Sequence, residues 1–209
     1  MGATPVVRLV RVPRGVAIPE VRQQLFAVVE QVVVRDGPGK LSGRAITGEA
    51  GVATGLLYAH FTDFDGFLAA YAVDRSFLIS AAAAALPERA GTGSVSGNVA
   101  DALLSTPPTT LLALTRLIVA RPQLPDLVRA VLGDRTAGLE AVENAAGAYL
   151  AEEQRLGRLT AGADPGALAL AAVGVLQRIT LDAATDTEAR VRATVTALLD
   201  PVTTATPLG

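Results

Sequence analysis

Cysteine is absent from the 209 residues and histidine occurs once. The first absence excludes a disulfide framework, a thiolate metal site and a cysteine nucleophile, and it agrees with a reducing cytoplasm. The second excludes a metal site built on several histidines. No run of about eighteen uncharged apolar residues is present, so no membrane span is expected. The N-terminus carries arginines but lacks the continuous apolar region of a secretory signal. Strand-like alternation is confined to VVRLVRV at 6–12, and nothing repeats. Carboxylates such as Glu152 and Glu153 are present, but no nucleophile, base and orienting group form a set. Neighbouring acids on a helix also point in different directions. An enzyme is therefore not expected, nor a cofactor.

What is present is apolar: 50% of the residues are hydrophobic, enough for a substantial core in one large or two small domains. The net charge of −2 is unevenly spread, since residues 1–61 carry seven Lys or Arg against four acids and residues 62–209 carry eleven against sixteen. A basic front on an acidic body suits a module that faces phosphate.

The informative stretch is LSGRAITGEAGVATGLLYAHF, from Leu41 to Phe61. Leu41 and Ile46 give a first short helix its apolar side, with Ala45 and Ala50 as fillers and Ser42 as a cap. Gly51 supplies the positive φ that a sharp corner needs. A second helix then starts near Ala53 or Thr54, with Leu57 and Phe61 on one side and Gly55 and Ala59 on the other. Two short helices over a glycine turn, the second nearly bare on its outer face, fit a helix-turn-helix.

Arg44, Ile46, Ala50, Gly51, Val52, Gly55, Leu57, Tyr58, His60 and Phe61, followed by Leu68, resemble the N-terminal domain of the TetR family of bacterial transcriptional regulators. The match covers roughly residues 20 to 75. It implies an all-α chain: a flexible basic arm over 1–18, a three-helix DNA-binding domain over 19–64, and a helical effector-binding and dimerisation domain over 65–209. It further implies a cytoplasmic repressor, a homodimer on a near-palindromic double-stranded operator, released by a small molecule. The alternative is a helical scaffold or partner-binding protein derived from such a regulator and no longer binding DNA. Three positions depart from the pattern: Thr47 where alanine is usual, Ala53 where a serine or threonine cap is common, and Phe64 where a lysine commonly touches phosphate.

Along the chain, Pro19 and Glu20 open a first helix whose buried stripe is Val21, Leu25, Val28, Val29, Val32 and Val33, closed by 35–39. Arg8, Arg11 and Arg14 punctuate the arm before it. A fourth helix begins at Asp63 or Asp65, with Phe67, Leu68, Tyr71, Phe77 and Leu78 as apolar positions, and runs into the alanine tract 81–85. PERAGTGSVS, 87–96, is a loop by composition. Short helices follow at 99–104 and from Pro107 or Pro108, broken again at Arg121 to Pro125. One long helix is expected over 126–157, then one over 167–184 that is apolar nearly all round and so buried on both sides. A last helix covers 187–199.

For phosphate contacts the candidates are Lys40, Arg44, Tyr58 and His60, of which Tyr58 and His60 match positions that the resemblance assigns to the DNA backbone. Thr54, Leu56 and Ala59 occupy the positions where the family varies, beside Gly55. None of them makes the two-pronged hydrogen bond that reads guanine or adenine. Discrimination therefore falls to Arg44, to Ser42 and to the shape of the site. One such domain binds weakly, and a dimer with motifs about 34–36 Å apart repairs this. Its interface is expected on the last two helices: Ala167, Ala171, Gly174, Val191, Val195 and Leu198. The polar residues expected to converge in an effector pocket are Thr115, Arg116, Tyr149, Gln177 and Arg178.

Overall fold

The computed structural model describes residues 18–182 and 186–204. The arginine-bearing arm and the alternating segment 6–12 lie outside the described residues. Ten α-helices make up the described chain: α1 (Ile18–Asp36), α2 (Gly43–Glu49), α3 (Thr54–His60), α4 (Phe64–Ala83), α5 (Val95–Leu104), α6 (Pro108–Ala120), α7 (Leu124–Leu132), α8 (Leu139–Arg155), α9 (Pro165–Leu181) and α10 (Thr187–Leu199). Single 3-10 turns follow α1, α4 and α10. The described residues contain no strand, only an isolated bridge between Leu159 and Thr203. The all-α expectation therefore holds.

The head of the molecule is built on α1. Its predicted stripe is buried except for Val21, which is half-buried, and Phe26, beside Leu25, becomes the centre of an aromatic cluster. Phe26 lies 5.7 Å from Phe67, 5.6 Å from Tyr71 and 6.3 Å from Phe61, while Phe61 meets Phe67 edge-on at 5.0 Å. Such pairs add about 0.5–1.5 kcal/mol each beyond the area they bury. The guanidinium of Arg22 lies 5.1 Å and that of Arg75 5.6 Å from the Phe26 ring. Burial, and then Glu30, push the Tyr71 hydroxyl well above its ordinary pKa.

In the body, α8 packs along α9, α10 crosses α5 and α9, and α4 runs from the head into contact with α7 and α8. A single helix over 126–157 is not what forms. The chain breaks into α7 and α8 at Gly133 and Gly138, whose φ values of 60° and 72° lie in the left-handed region. Gly138 also comes against α4: its N–H donates to the Ser76 carbonyl at 3.0 Å and to Ser80 Oγ at 2.8 Å. A Cβ there would sit 3.3 Å from Ser76 Oγ. The break is thus fixed by a partner far away in sequence. Helix α5 starts earlier than expected, at Val95, because Ser94 caps it by accepting the Gly97 N–H.

Helix α9 is capped by Asp164, with the N–H groups of Gly166 and Ala167 donating to its carboxylate. Positions 183 and 184 of the predicted span lie outside the described residues. The expected burial on both sides is not found, because Ala167, Leu170, Ala171 and Gly174 are exposed along one face. Of the apolar positions of α4, Phe67, Leu68 and Tyr71 are buried, whereas Phe77 and Leu78 are 41% and 44% exposed. One stretch, Phe64–Arg89, is long and apolar enough to cross a membrane, but half of it is buried among the other helices.

Candidate nucleic-acid interface

The corner between α2 and α3 is a closed hydrogen-bonded unit. Gly51, with φ 69°, follows the Ala50 cap. Its N–H donates to the Gly48 carbonyl at 3.2 Å, and the Val52 N–H donates to the Thr47 carbonyl at 2.9 Å. This pair of bonds is the Schellman arrangement, in which a left-handed residue satisfies carbonyls left open at a helix end. A Cβ at Gly51 would meet nothing within 4 Å. The requirement for glycine is therefore one of backbone conformation alone.

Two of the departures from the family pattern explain each other. Ala53 provides no side-chain cap for α3. Thr47 Oγ1, buried, donates to the Gly43 carbonyl at 2.8 Å and lies 3.1 Å from Thr54 Oγ1, so two hydroxyls tie the start of α3 to α2. The third departure, Phe64, stacks on Phe67 at 6.0 Å, with the Arg121 guanidinium 5.5 Å from its ring. Arg121, from the end of α6, also pairs with Asp65 at 3.2 Å. A body residue thus brings a cation to the first turn of α4. No local pattern marks it, since Arg121 stands in a Pro-broken segment.

All nine residues expected at DNA lie on α2, on α3 or in the segment just before α2, and eight of them are exposed. Ser42, Arg44, Thr54, Gly55, Tyr58, Ala59, His60 and Lys40 are exposed, and Leu56 is half-buried. Leu57, the inward residue, is fully buried. Tyr58 is 50% exposed and lies across the start of α2, where a Cβ on Gly43 would come within 2.9 Å of its hydroxyl oxygen. Lys40 and Arg44 form no salt bridge among the described residues, whereas Arg35 is taken by Asp36 and Glu49, both at 2.7 Å. Two polar candidates are already engaged: Ser42 Oγ accepts the Ala45 N–H, and the Thr54 hydroxyl meets Thr47.

The predicted effector residues do not converge. Thr115 and Gln177 share a cavity of about 450 Å³ with Ala72, Ser76 and Ile79 of α4, Leu111 and Leu114 of α6, and the 133–138 connection. Tyr149 instead sits in a separate polar knot, accepting the Asn98 side-chain N–H at 3.0 Å. Burial first, then Glu153, push its hydroxyl pKa up. Arg116 is turned to the head, donating to the Val34 carbonyl at 3.2 Å. Arg178 pairs with Asp182 on the outside. Sequence reasoning missed Ser76 and the 133–138 connection, whose place depends on α4 meeting α8.

Among the expected interface residues, Ala167, Ala171 and Gly174 lie on the exposed face of α9 and Leu198 is half-buried. Val191 and Val195 are fully buried in the chain's own core and are not available to a partner, because α10 turns them toward the rest of the body. A shallow groove beside that face is lined by Ala171, Gly174, Val175, Arg190, Ala193 and Thr194. No group of His, Asp or Glu among the described residues could hold a metal ion.

No family model matches the chain. No curated protein matches it either. Solved structures do match. A TetR-family transcriptional regulator from Haemophilus influenzae is 18% identical, with TM-score 0.58 over 87% of this chain and 97% of that one. The fatty acid degradation regulator FadR from Bacillus halodurans is also 18% identical, with TM-score 0.64 over 88% of this chain and 97% of that one. The multidrug binding protein EbrR, complexed with imidazole, is 23% identical, with TM-score 0.55 over 87% and 96%. At these identities the likeness establishes the fold: a helix-turn-helix head on a helical body.

Proposed function

We propose that this chain is a TetR-like transcriptional regulator that binds a near-palindromic operator as a homodimer in the cytoplasm and is released by a small, mainly apolar ligand. One observation carries the reading: α3 stands out from the head with only Leu57 fully buried, its outer residues small, and Tyr58, His60, Arg44 and Lys40 exposed around it. A helix so lean admits close approach to base edges, and the surrounding groups suit phosphate oxygens. Dimerisation through the exposed small residues of α9 would set two such helices about 34–36 Å apart.

The effector cavity has a physical route to the head. Glu30 of α1 is held at one point by two helices that line the cavity: Arg75 of α4 pairs with it at 2.6 Å, and Thr110 of α6 donates to it at 3.2 Å. Their neighbours Ala72, Ser76 and Leu111 are cavity wall. A ligand that spreads α4 from α6 pulls on both partners of Glu30 and so re-aims α1 and the head. Only a ligand that favours the displaced arrangement can shift the balance.

The test is selection of duplexes bound by the full chain, followed by titration of the selected sequence. We expect a symmetric site, and about tenfold weaker binding with relaxed selectivity for Arg44→Ala, the scale of a lost base or phosphate contact. Recovery of no enriched sequence, or an Arg44→Ala variant indistinguishable from the parent, would remove the reading.

A further inference from the structure

We propose that a second cavity, walled by α5, α6, α9 and α10, is a binding site for an uncharged, mostly aliphatic small molecule that carries a hydroxyl or carbonyl oxygen. Its volume of about 690 Å³ exceeds that of the cavity beside α4, and the two share no lining residue. Ligand sites typically occupy about 300–1,000 Å³ and join an apolar wall to a few polar groups. Here Leu104, Leu112, Leu176 and Pro108 provide the wall. Ser105, Thr109 and Thr187 also line it, and two further polar groups, Thr106 and Thr180, are 3% and 5% exposed with hydroxyls that have no hydrogen-bond partner among the described residues.

A buried hydroxyl without a partner costs about 1–3 kcal/mol, so two on one cavity wall call for an explanation. A threonine exchanges methyl for hydroxyl by rotation about χ1; Thr180, within α9, has both rotamers open to it, and Thr106 stands in the connection between α5 and α6, outside any helix. An oxygen-bearing guest could therefore be met by either residue. The charge at the rim decides which guests. Arg192 bonds Asp101 at 2.7 Å and Glu188 at 3.1 Å, and Arg89 holds the other side of Asp101 at 3.3 Å. Arg192, and then Arg89, hold the Asp101 carboxyl below the usual carboxylate range. An anionic guest would face two carboxylates, and a cationic one would have to displace arginine from them. The site also abuts the start of α6, next to the Thr110 contact with Glu30.

Three probes with the same chain and different heads test this: octanol, octanoate and octylammonium, each titrated into the full chain with methyl-labelled leucines. We expect octanol to shift the methyls of Leu104, Leu112 and Leu176, and the two charged probes to bind there at least tenfold more weakly. The double variant Thr106→Val, Thr180→Val keeps the shape of the wall, so its melting temperature should stay or rise while octanol affinity falls about tenfold. Shifts confined to Leu111 and Leu114, no shifts at all, equal binding of octanoate, or an unchanged affinity in the double variant would each overturn the proposal. None of these readings involves DNA, so a failure here and a failure of the regulatory reading remain distinct.

Discussion

The head and the body of this chain solve different problems with the same kind of element. In the head, three aromatic rings close around Phe26, and two arginines lie against its ring. The body, rich in leucine and alanine, leaves two cavities between its helices. A domain that must present one helix in one orientation benefits from a stiff core. A domain that must yield to a guest benefits from helices not fully packed against one another. One apolar core runs through both, and across it Glu30, Arg75 and Thr110 form a polar joint that is sensitive to geometry in a way that an oily contact is not.

The sharpest way to break the contrast is to remove the joint. Arg75→Ala leaves the Glu30 carboxylate, 15% exposed, with Thr110 as its remaining hydrogen-bond donor among the described residues and takes a cation from the Phe26 and Tyr71 rings. We expect a loss of about 3 kcal/mol in urea denaturation, since removing one partner strands a buried charge. The milder Thr110→Val should cost less stability yet weaken the effect of ligand on DNA affinity, measured by titrating operator with and without the ligand.

Next in size is the corner. Gly51→Val forces a β-branched residue to a φ of 69°, at a cost of about 1–2 kcal/mol. Because the site has room for a side chain, the loss should appear as weaker DNA binding with little change in the melting of the body. Thr47→Ala removes the hydroxyl that ties α2 to α3, at about 1 kcal/mol, the usual net worth of one hydrogen bond. Amide exchange in α3 should quicken while that of α9 stays as it was.

The smallest effect separates the two regions by pH. In the head, Arg35 holds the carboxyls of Asp36 and Glu49 low; in the body, Arg192 and then Arg89 do the same for Asp101. Depressed folded-state values contribute stability that is present above the unfolded pKa and lost as pH falls through the folded one. Denaturation should therefore be insensitive to pH near neutrality and weaken on acidification below about pH 4. Asp36 and Glu49 are exposed and Asp101 is half-buried at a cavity rim, so the change should be small. Arg192→Gln should flatten the acid limb for the body and leave the head unchanged.

How far these features could be read beforehand differs in the same way. The head was legible because its signals are local: a serine cap, a glycine three residues beyond Gly48, and apolar residues at helical spacing. Nearly every residue expected at DNA is exposed. The body was legible as helices but not as a site. The break at Gly133 and Gly138 depends on Ser76 and Ser80, and a run of alternating apolar and charged residues gives no sign of it. Val191 and Val195 were assigned to a partner because an apolar stripe looks the same whether it meets another chain or its own. Arg121 was missed because its partners, Phe64 and Asp65, lie on another helix.

The most direct test of the central claim, that α3 is presented to a duplex by a stiff head, is the salt dependence of affinity for a selected operator. The logarithm of affinity should fall linearly with the logarithm of salt, by about 0.9 for each phosphate neutralised, and Lys40→Ala should make the slope shallower by about one. Binding that ignores salt, or no binding at low salt by a chain whose α3 is folded, would contradict it.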